Sequence, residues 1–311
     1  MNRLILVLNL NASVDKRYAL ADFAKGKVVR ATSVQNTAGG KGLHVANVAH
    51  ALGADVVTSG FVGGKAGEFI EERMTAKGLR GNFTHVAGET RSCLAILTDD
   101  GAQTEILEPG PTVTASELAD FRARYTELLA DADVVVASGS VPQGVPKAIY
   151  RELIEEAHAH GIPFLLDTSG EALEQALPAK PDFIKPNKDE IEALTGRTVT
   201  SESDVQRETR AFADAGIPFA CVSLGADGSL AMADGKSYRV HVPRIACKNP
   251  VGSGDSFVGG YATAIAQGKS PQEALRLAAA CGTANAMEEE SGFVRREVVE
   301  ELLPQIEISE V

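Results

Sequence analysis

Hydrophobic and polar positions along the chain follow two alternating rhythms. Short continuous apolar runs have the length and β-branched content of strands: "LILVLNL" (4–10), "DVVTSGFVG" (55–63), "DVVVASGSVP" (133–142), "PFLLDTSG" (163–170), "DFIKPN" (182–187) and "FACVSLGADG" (219–228). Between them lie amphipathic stretches with helical spacing, such as "GLHVANVAHALG" (42–53) and "KAIYRELIEEAHAHG" (147–161). Strands apolar on both faces and separated by helices predict an α/β fold, a doubly wound, mostly parallel sheet flanked by helices. Several runs end in polar or glycine-rich turns: "SGS", "DTSG", "KPN" and "SLG". Ligands in open parallel sheets gather beyond such carboxyl ends, so these turns are candidate site residues as a group.

Two segments break the rhythm. Residues of about 12–35 and about 89–110 pattern as short strands with turns and no helix between them. They predict a small, discontinuous β-sheet lid on a single domain spanning 1–311. An exposed sheet of this kind needs cover, which a homodimer partner would supply. Near the C-terminus, "SPQEALRLAAACGTANAMEEE" predicts a helix with Ser270 as N-cap and Pro271 at its first position.

Composition narrows the classes. The 311 residues are 44% hydrophobic and 23% charged, as in an ordinary globular enzyme. A net charge of −12 argues against nucleic-acid or membrane-surface binding, and any anionic ligand would need dedicated local cations. The four cysteines, Cys93, Cys221, Cys247 and Cys281, form no C-x-x-C pair and read as reduced thiols of a cytoplasmic protein. The first apolar run is too short, and too interrupted by Asn9 and Asn11, for a signal peptide or a membrane span.

The densest candidate for chemistry is "VGSGDSFVGGYATAIA" (251–266), where Gly252, Ser253 and Gly254 bare the backbone around Asp255. A helix start favours such a carboxylate, and the same exposed N–H groups favour a phosphate. Standard nucleotide motifs are missing: there is no G-x-x-x-x-G-K-S/T, and Phe257 stands where G-x-G-x-x-G needs its last glycine. No H-E-x-x-H occurs, and His158 and His160 read as solvated. "TAGGKGLHVANVAHALG" (37–53) serves equally as a tight turn before a helix or as an anion or sugar cradle, with Lys41 as its point charge. In "IKPNKDE" (184–190), Asn187 and Glu190 are either an N-cap with a solvated acid or a polar pair for a hydrated Mg²⁺, with Lys185 beside them. "SLGADGS" (223–229) reads as a hairpin turn, and Arg91 by itself as a surface arginine.

Together, "AGGKG", "KPNKDE", "SLGADG" and "NPVGSGDS" resemble, in order and spacing, the motifs of the PfkB (ribokinase-like) carbohydrate kinases. The likeness covers essentially the whole chain, including both lid segments. Within the family the chain is most similar to the phosphosugar branch of tagatose-6-phosphate kinases and 1-phosphofructokinases. "ETRSCLAIL", "QTEILEPGP" and Cys93 resemble the tagatose-6-phosphate type, whereas Lys27 in "KGKVVR" resembles a fructose-6-phosphate kinase. One departure stands out: the asparagine of the family's GGKGxN, a sugar-hydroxyl ligand, is His44 here. An imidazole lining a sugar pocket would make substrate KM depend on pH between about 5.5 and 7.5, whereas packing on its own helix would leave KM flat.

The resemblance implies an ATP- and Mg²⁺-dependent kinase that adds a second phosphate to a ketohexose phosphate. Asp255 would be the general base, and Gly252, Ser253 and Gly254 would stabilise the transferred phosphoryl group. Lys185, Asn187 and Glu190 would serve the phosphates and Mg²⁺; Ser223, Gly225 and Gly228 would line the nucleotide, with Asn285 near the adenine. Asp15 and Ser138 would hold sugar hydroxyls beside Gly39, Gly40, His44 and Cys93. Lys41 and Arg91, with Lys27, would grip the sugar's own phosphate. A monovalent cation, K⁺, would sit near the 249–251 and 286–292 loops. The alternatives are a kinase of nucleosides or unphosphorylated sugars, and a sugar-phosphate sensor that has lost turnover.

Overall fold

The computed structural model describes residues 3–311. From the N-terminus, β1 (Leu4–Asn9) is followed by β2 (Ser13–Leu20), β3 (Ser33–Gly39), α1 (Lys41–Ala51), β4 (Asp55–Val62), α2 (Gly64–Ala76) and β5 (Arg80–His85). Next come β6 (Arg91–Thr98), β7 (Gln103–Leu107), α3 (Ala115–Leu129), β8 (Val134–Ser138), α4 (Ile149–Ala159), β9 (Phe164–Asp167) and α5 (Gly170–Ala176). The remainder begins with β10 (Phe183–Ile184), α6 (Lys188–Thr195), α7 (Glu202–Asp214), β11 (Phe219–Ser223), β12 (Ser229–Ala233) and β13 (Lys236–His241). It closes with α8 (Ser253–Ala266), α9 (Pro271–Ala286), α10 (Arg296–Leu302) and β14 (Glu307–Glu310).

Ten strands form the main sheet in the order β14-β13-β12-β11-β10-β9-β8-β1-β4-β5. Pairing is parallel from β11 to β5 and antiparallel from β11 out to β14. The chain winds one way through β1, β4 and β5 and the other way through β8 to β11. The switch point therefore lies between the carboxyl ends of β1 and β8, where a crevice forms in such sheets. The alternation within "LILVLN" explains the covered faces. Ile5 and Val7 pack on one side with Val45, Val48, Val258 and Leu275, while Leu6 and Leu8 pack on the other with Phe121, Tyr125 and Leu153. Each such side chain contributes about 1.5–3 kcal/mol of burial.

Helix starts differ in a way that bears on the site. Thr114, Asn187, Ser201 and Ser270 close capping boxes on α3, α6, α7 and α9, with Pro271 opening α9. By contrast, α1 and α8 begin on Gly40 and Gly252 without a side-chain cap; on α8 the Ser253 N–H donates to Pro250 O at 3.2 Å, and the N–H groups of Gly254 and Asp255 are left for a ligand.

The four-stranded lid has the order β3-β2-β6-β7. Its first segment runs past the predicted limit of 35: β3 continues to Gly39 and leads straight into α1. "SVQNTAG" is polar and mostly exposed, so no apolar alternation marks it as a strand. The lid and its 21–32 loop carry Val28, Val34, Ile106 and Leu107, all exposed. Among the described residues no helix is long and apolar enough to cross a membrane.

Candidate active site

Two clefts open beyond the carboxyl ends of the parallel strands, and they meet at the start of α8. A polar cleft of about 590 Å³ lies under the lid. An apolar cleft of about 490 Å³ lies between the 225–228 turn, the 242–250 segment and helices α8 and α9. Lys185, Ser223 and Gly254 line both.

The seam is built from backbone. Gly252 has φ +83, a conformation that costs an L side chain about 1–2 kcal/mol, and a Cβ there would overlap the Gly292 amide. This turn aims the first N–H groups of α8 into the clefts, with the nearly buried Asp255 in the first helical turn. Gly254 is held open for another reason: a Cβ would lie 3.1 Å from Lys185 Nζ. Asn285, expected near the adenine, is instead fully buried behind the turn. Its amide donates to Val251 O at 2.9 Å and Ser253 Oγ at 3.2 Å, and accepts from Gly292 N at 2.8 Å and Ser256 Oγ at 3.1 Å. With its amide spent on protein partners, it shapes the turn and does not face the cleft.

The polar cleft brings together Asp15, Lys41, His44, Arg91, Cys93 and Asp255. Gly39 and Gly40 make room for this: a Cβ on Gly39 would overlap the Asp15 carboxylate, and one on Gly40 would lie 2.7 Å from Asn9 Oδ1. Asp167, at the end of β9, is a buried carboxylate between two lysines, 3.5 Å from Lys41 Nζ and 3.7 Å from Lys185 Nζ. Burial would raise its carboxyl, but both lysines and the Ser138 hydroxyl hold it below the usual range. In turn, Asp167 raises the Lys41 ammonium against the opposing effect of burial. Ser138, expected at a sugar hydroxyl, is fully buried and donates to Asp167 Oδ2 at 3.1 Å, so it supports the carboxylate from behind. Asp167 escaped the motif reading, its one signal being its place at a polar strand end; Asn9 and Asn11, which also line this cleft, had the same signal.

Arg91 lines the cleft with part of its guanidinium already engaged. Nε and Nη2 donate to Asn11 O at 3.1 and 3.0 Å, and Nη1 to Glu108 O at 3.0 Å. Two of its five N–H groups thus tie the lid to the β1–β2 turn and a third holds the end of β7, leaving two for a ligand. Cys93 is its neighbour on β6, and burial pushes its thiol up, away from reactivity. Lys27 is exposed on the lid loop and lines neither cleft.

His44 differs most from expectation. Its Nδ1 lies 2.8 Å from Asp255 Oδ2 and its Nε2 3.3 Å from Asp15 Oδ2. Burial alone would lower the imidazolium, but hydrogen bonding to Asp15 and Asp255 and their charges raise it to about 10. Its titration therefore falls above the 5.5–7.5 window expected of a free imidazole in a sugar pocket. The same contacts, with Ser13 Oγ donating at 2.6 Å and the Arg91 charge nearby, hold the Asp15 carboxyl below its usual range although burial would raise it.

The apolar cleft is walled by Val242, Pro243, Ile245, Pro250, Phe257 and Ala279. The "SLGADGS" turn is indeed a hairpin between β11 and β12, and its Gly225 and Gly228 also line this cleft. A Cβ on Gly228, at φ +88, would overlap Val240 O. Asn187 and Glu190 form a reciprocal capping box: Asn187 Oδ1 accepts from Glu190 N and Glu190 Oε2 from Asn187 N, each at 2.8 Å. The described residues give the second carboxylate oxygen of Glu190 no partner, which fits a hydrated divalent ion. The 249–251 and 286–292 loops touch through Asn249, whose amide donates to Glu289 O at 3.0 Å and Ser291 Oγ at 3.1 Å.

The family model described as pfkB family carbohydrate kinase matches residues 8–295. A tagatose-6-phosphate kinase of Staphylococcus epidermidis is 41% identical over 316 aligned positions, covering 99% of this chain and all of that protein. Phosphofructokinase-2 from Escherichia coli, solved in complex with fructose-6-phosphate, superposes with a TM-score of 0.89 at 26% identity, covering 98% of this chain and 99% of that one. A ribokinase from Arabidopsis thaliana, solved with ribose and ATP, shares the fold at a TM-score of 0.78 and 22% identity, with 97% and 98% of the chains covered.

Proposed function

The chain belongs to the pfkB family of carbohydrate kinases, and we propose that it transfers the γ-phosphoryl group of ATP to a ketohexose phosphate, with tagatose 6-phosphate the preferred acceptor. The observation that carries this reading is the shared seam of the two clefts at Lys185, Ser223 and Gly254. Phosphoryl transfer needs donor and acceptor in line across one point, with fixed charge where negative charge spreads.

In this reading the sugar phosphate occupies the polar cleft. Lys41 and Arg91 hold its phosphate, and Asp15 a hydroxyl. Asp255 accepts the proton of the attacking hydroxyl; because the transition state is loose, positioning matters more than strong basicity. The N–H groups at the start of α8 face the transferring phosphoryl oxygens, as an oxyanion hole does. The adenine lies against the apolar walls and the Gly225–Gly228 turn, with Lys185 reaching the phosphates. Among the described residues no three His, Cys, Asp or Glu side chains converge as a metal cage. Mg²⁺ bound through Asn187, Glu190, water and phosphate would supply charge neutralisation. Exposed Val34, Ile106 and Leu107 suit a lid-to-lid homodimer, and such a soluble kinase would work in the cytoplasm.

The test is a coupled ADP-release assay with tagatose 6-phosphate, fructose 1-phosphate, fructose 6-phosphate and free ribose. The expected order places tagatose 6-phosphate highest in kcat/KM and ribose far below the phosphosugars. Ribose equal to the phosphosugars overturns the acceptor class. No turnover on any of the four substrates overturns the kinase reading in favour of a sensor.

A further inference from the structure

We propose that His44 is a positioning residue, a fixed cation that ties the Asp15 carboxylate to that of Asp255 and so holds Asp255 aimed at the acceptor hydroxyl. The inference rests on the kinase reading above and extends it at the position where the chain departs from the family's asparagine.

The geometry leaves the ring little choice. Nδ1 bonds the Asp255 carboxylate at 2.8 Å and Nε2 lies 3.3 Å from that of Asp15, within ion-pair range, and an ionised carboxylate can only accept. Both nitrogens therefore carry protons, and the three groups together hold one negative charge. A neutral residue at this position would leave two carboxylates lining one cleft with no cation between them, so that each charge would raise the other's carboxyl. An asparagine has one amide nitrogen and one oxygen, so it could donate to one acid while setting its oxygen against the other.

The ring is also locked in place. A Cβ on Gly292 would overlap His44 Cβ, Cγ and Cδ2, so the backbone of the 291–293 segment lies directly on the side chain. That segment is pinned by the Gly292 N–H to Asn285, the asparagine that also fixes Val251 and Ser253. One buried amide thus sets both the phosphoryl-binding turn and the cover of the clamp. The charged groups around the ring are Asp15 from β2, Asp255 from α8, Lys41 from its own helix, Arg91 from β6, and Glu289 and Glu290 from the covering loop. Arg17 draws Glu289 outward, with its Nη1 4.0 Å from the carboxylate, and Lys77 pairs with Glu290 at 2.7 Å. The two acids in direct contact therefore set the state of the ring.

Stability follows the same sign. His44 is raised in the folded protein, so its contribution is complete below about 6.5, the unfolded value, and is lost as pH climbs toward about 10.

The first test reads protonation without activity, by ¹⁵N spectra of histidine-labelled wild-type protein, with the His44 signal assigned by its loss in His44→Asn. Both His44 nitrogens should stay protonated through pH 8.5, although histidines of model peptides titrate near about 6.5. A His44 that titrates near that value overturns the clamp. The second test compares pH–kcat profiles of wild type, His44→Gln and His44→Leu. Both variants should lose about 10-fold or more in kcat, the scale of a misplaced reacting group, and their acid limb should move up toward neutrality. Adding Asp15→Asn to His44→Leu should return that limb to low pH, because the second carboxylate is gone. A uniform loss at every pH, with no movement of the limb, means that His44 only packs, and the proposal falls. Should wild type turn over no ketohexose phosphate, the kinase reading fails, while the ring spectra still decide whether the clamp exists.

Discussion

The polar and apolar clefts meet at one glycine yet are held in shape by opposite means. Under the lid, shape comes from paired charges: Asp167 between Lys41 and Lys185, and His44 between Asp15 and Asp255. On the other side it comes from backbone turns at Gly225 and Gly228 and a wall of Val, Pro, Ile and Phe. A chain of net charge −12 cannot attract an anion by its overall field, so the side proposed to take the sugar phosphate would need its cations fixed in place. Lys41, Lys185 and His44 are therefore each pinned by a buried or half-buried acid. An adenine needs no such arrangement, since a slot of apolar walls suits its flat face. Charge is concentrated where it must discriminate and reduced, where shape suffices, to Lys185 at the seam and Arg244.

Asp255 is the largest lever on this contrast, because it stands on the charged side of the seam, where we propose that it takes the proton of the hydroxyl attacking the group that arrives from the other side. Asp255→Asn keeps shape and hydrogen bonding but removes the proton acceptor. We expect kcat to fall by roughly 10²–10⁴-fold with nucleotide affinity unchanged, measured by steady-state kinetics and by titration calorimetry with an ATP analogue. Turnover near the wild-type value would remove Asp255 from the chemistry.

Arg91 comes next and separates two jobs within the polar cleft. Its bonds to Asn11 and Glu108 order the lid, while its two remaining N–H groups suit phosphate oxygens. A hydrogen bond to a charged group contributes about 1.5–3 kcal/mol, so Arg91→Ala should lower kcat/KM for the phosphosugar by roughly 10–150-fold. Residual activity on the unphosphorylated sugar should fall much less. Equal losses on both would assign Arg91 to lid order alone.

The two clefts also differ in how far they could be recognised before folding. The parallel strands, the Ser270–Pro271 start of α9 and the glycine turns are local patterns, and the structure has them where the periodicity put them. Asp255, Lys41 and Lys185 stand in such turns and were found with them. The ion pairs are another matter. His44 meets Asp255 across 211 residues of sequence, and Asp167 meets Lys185 because β9 lies beside β10, and Lys41 because α1 starts over the end of β8 on its other side. No window along the chain carries those distances. Ser138 and Asn285 show the reverse error: family likeness assigned them to ligands, whereas burial gives their polar atoms to protein partners. Likeness transfers a position along the chain, but the direction of a side chain depends on everything packed around it.

The smallest effect concerns Asn187, where the seam meets α6 and both readings of one residue can be true together. As an N-cap its side chain holds the Glu190 N–H, and loss of such a cap costs about 0.5–2 kcal/mol, so Asn187→Ala should lower the melting temperature by a few degrees. The cap also fixes Glu190, whose carboxylate returns the bond and would otherwise swing free. Asn187→Asp separates the roles, because aspartate caps as well as asparagine but adds a negative charge beside the phosphates. If Asn187 only caps, the aspartate variant keeps both the wild-type melting temperature and the wild-type half-saturation by Mg²⁺. If it also helps hold the ion, stability is kept while half-saturation by Mg²⁺ shifts several-fold and KM for the sugar phosphate stays fixed. A change in sugar KM without a change in Mg²⁺ dependence would mean that Asn187, which lines the polar cleft, serves the sugar phosphate and not the ion.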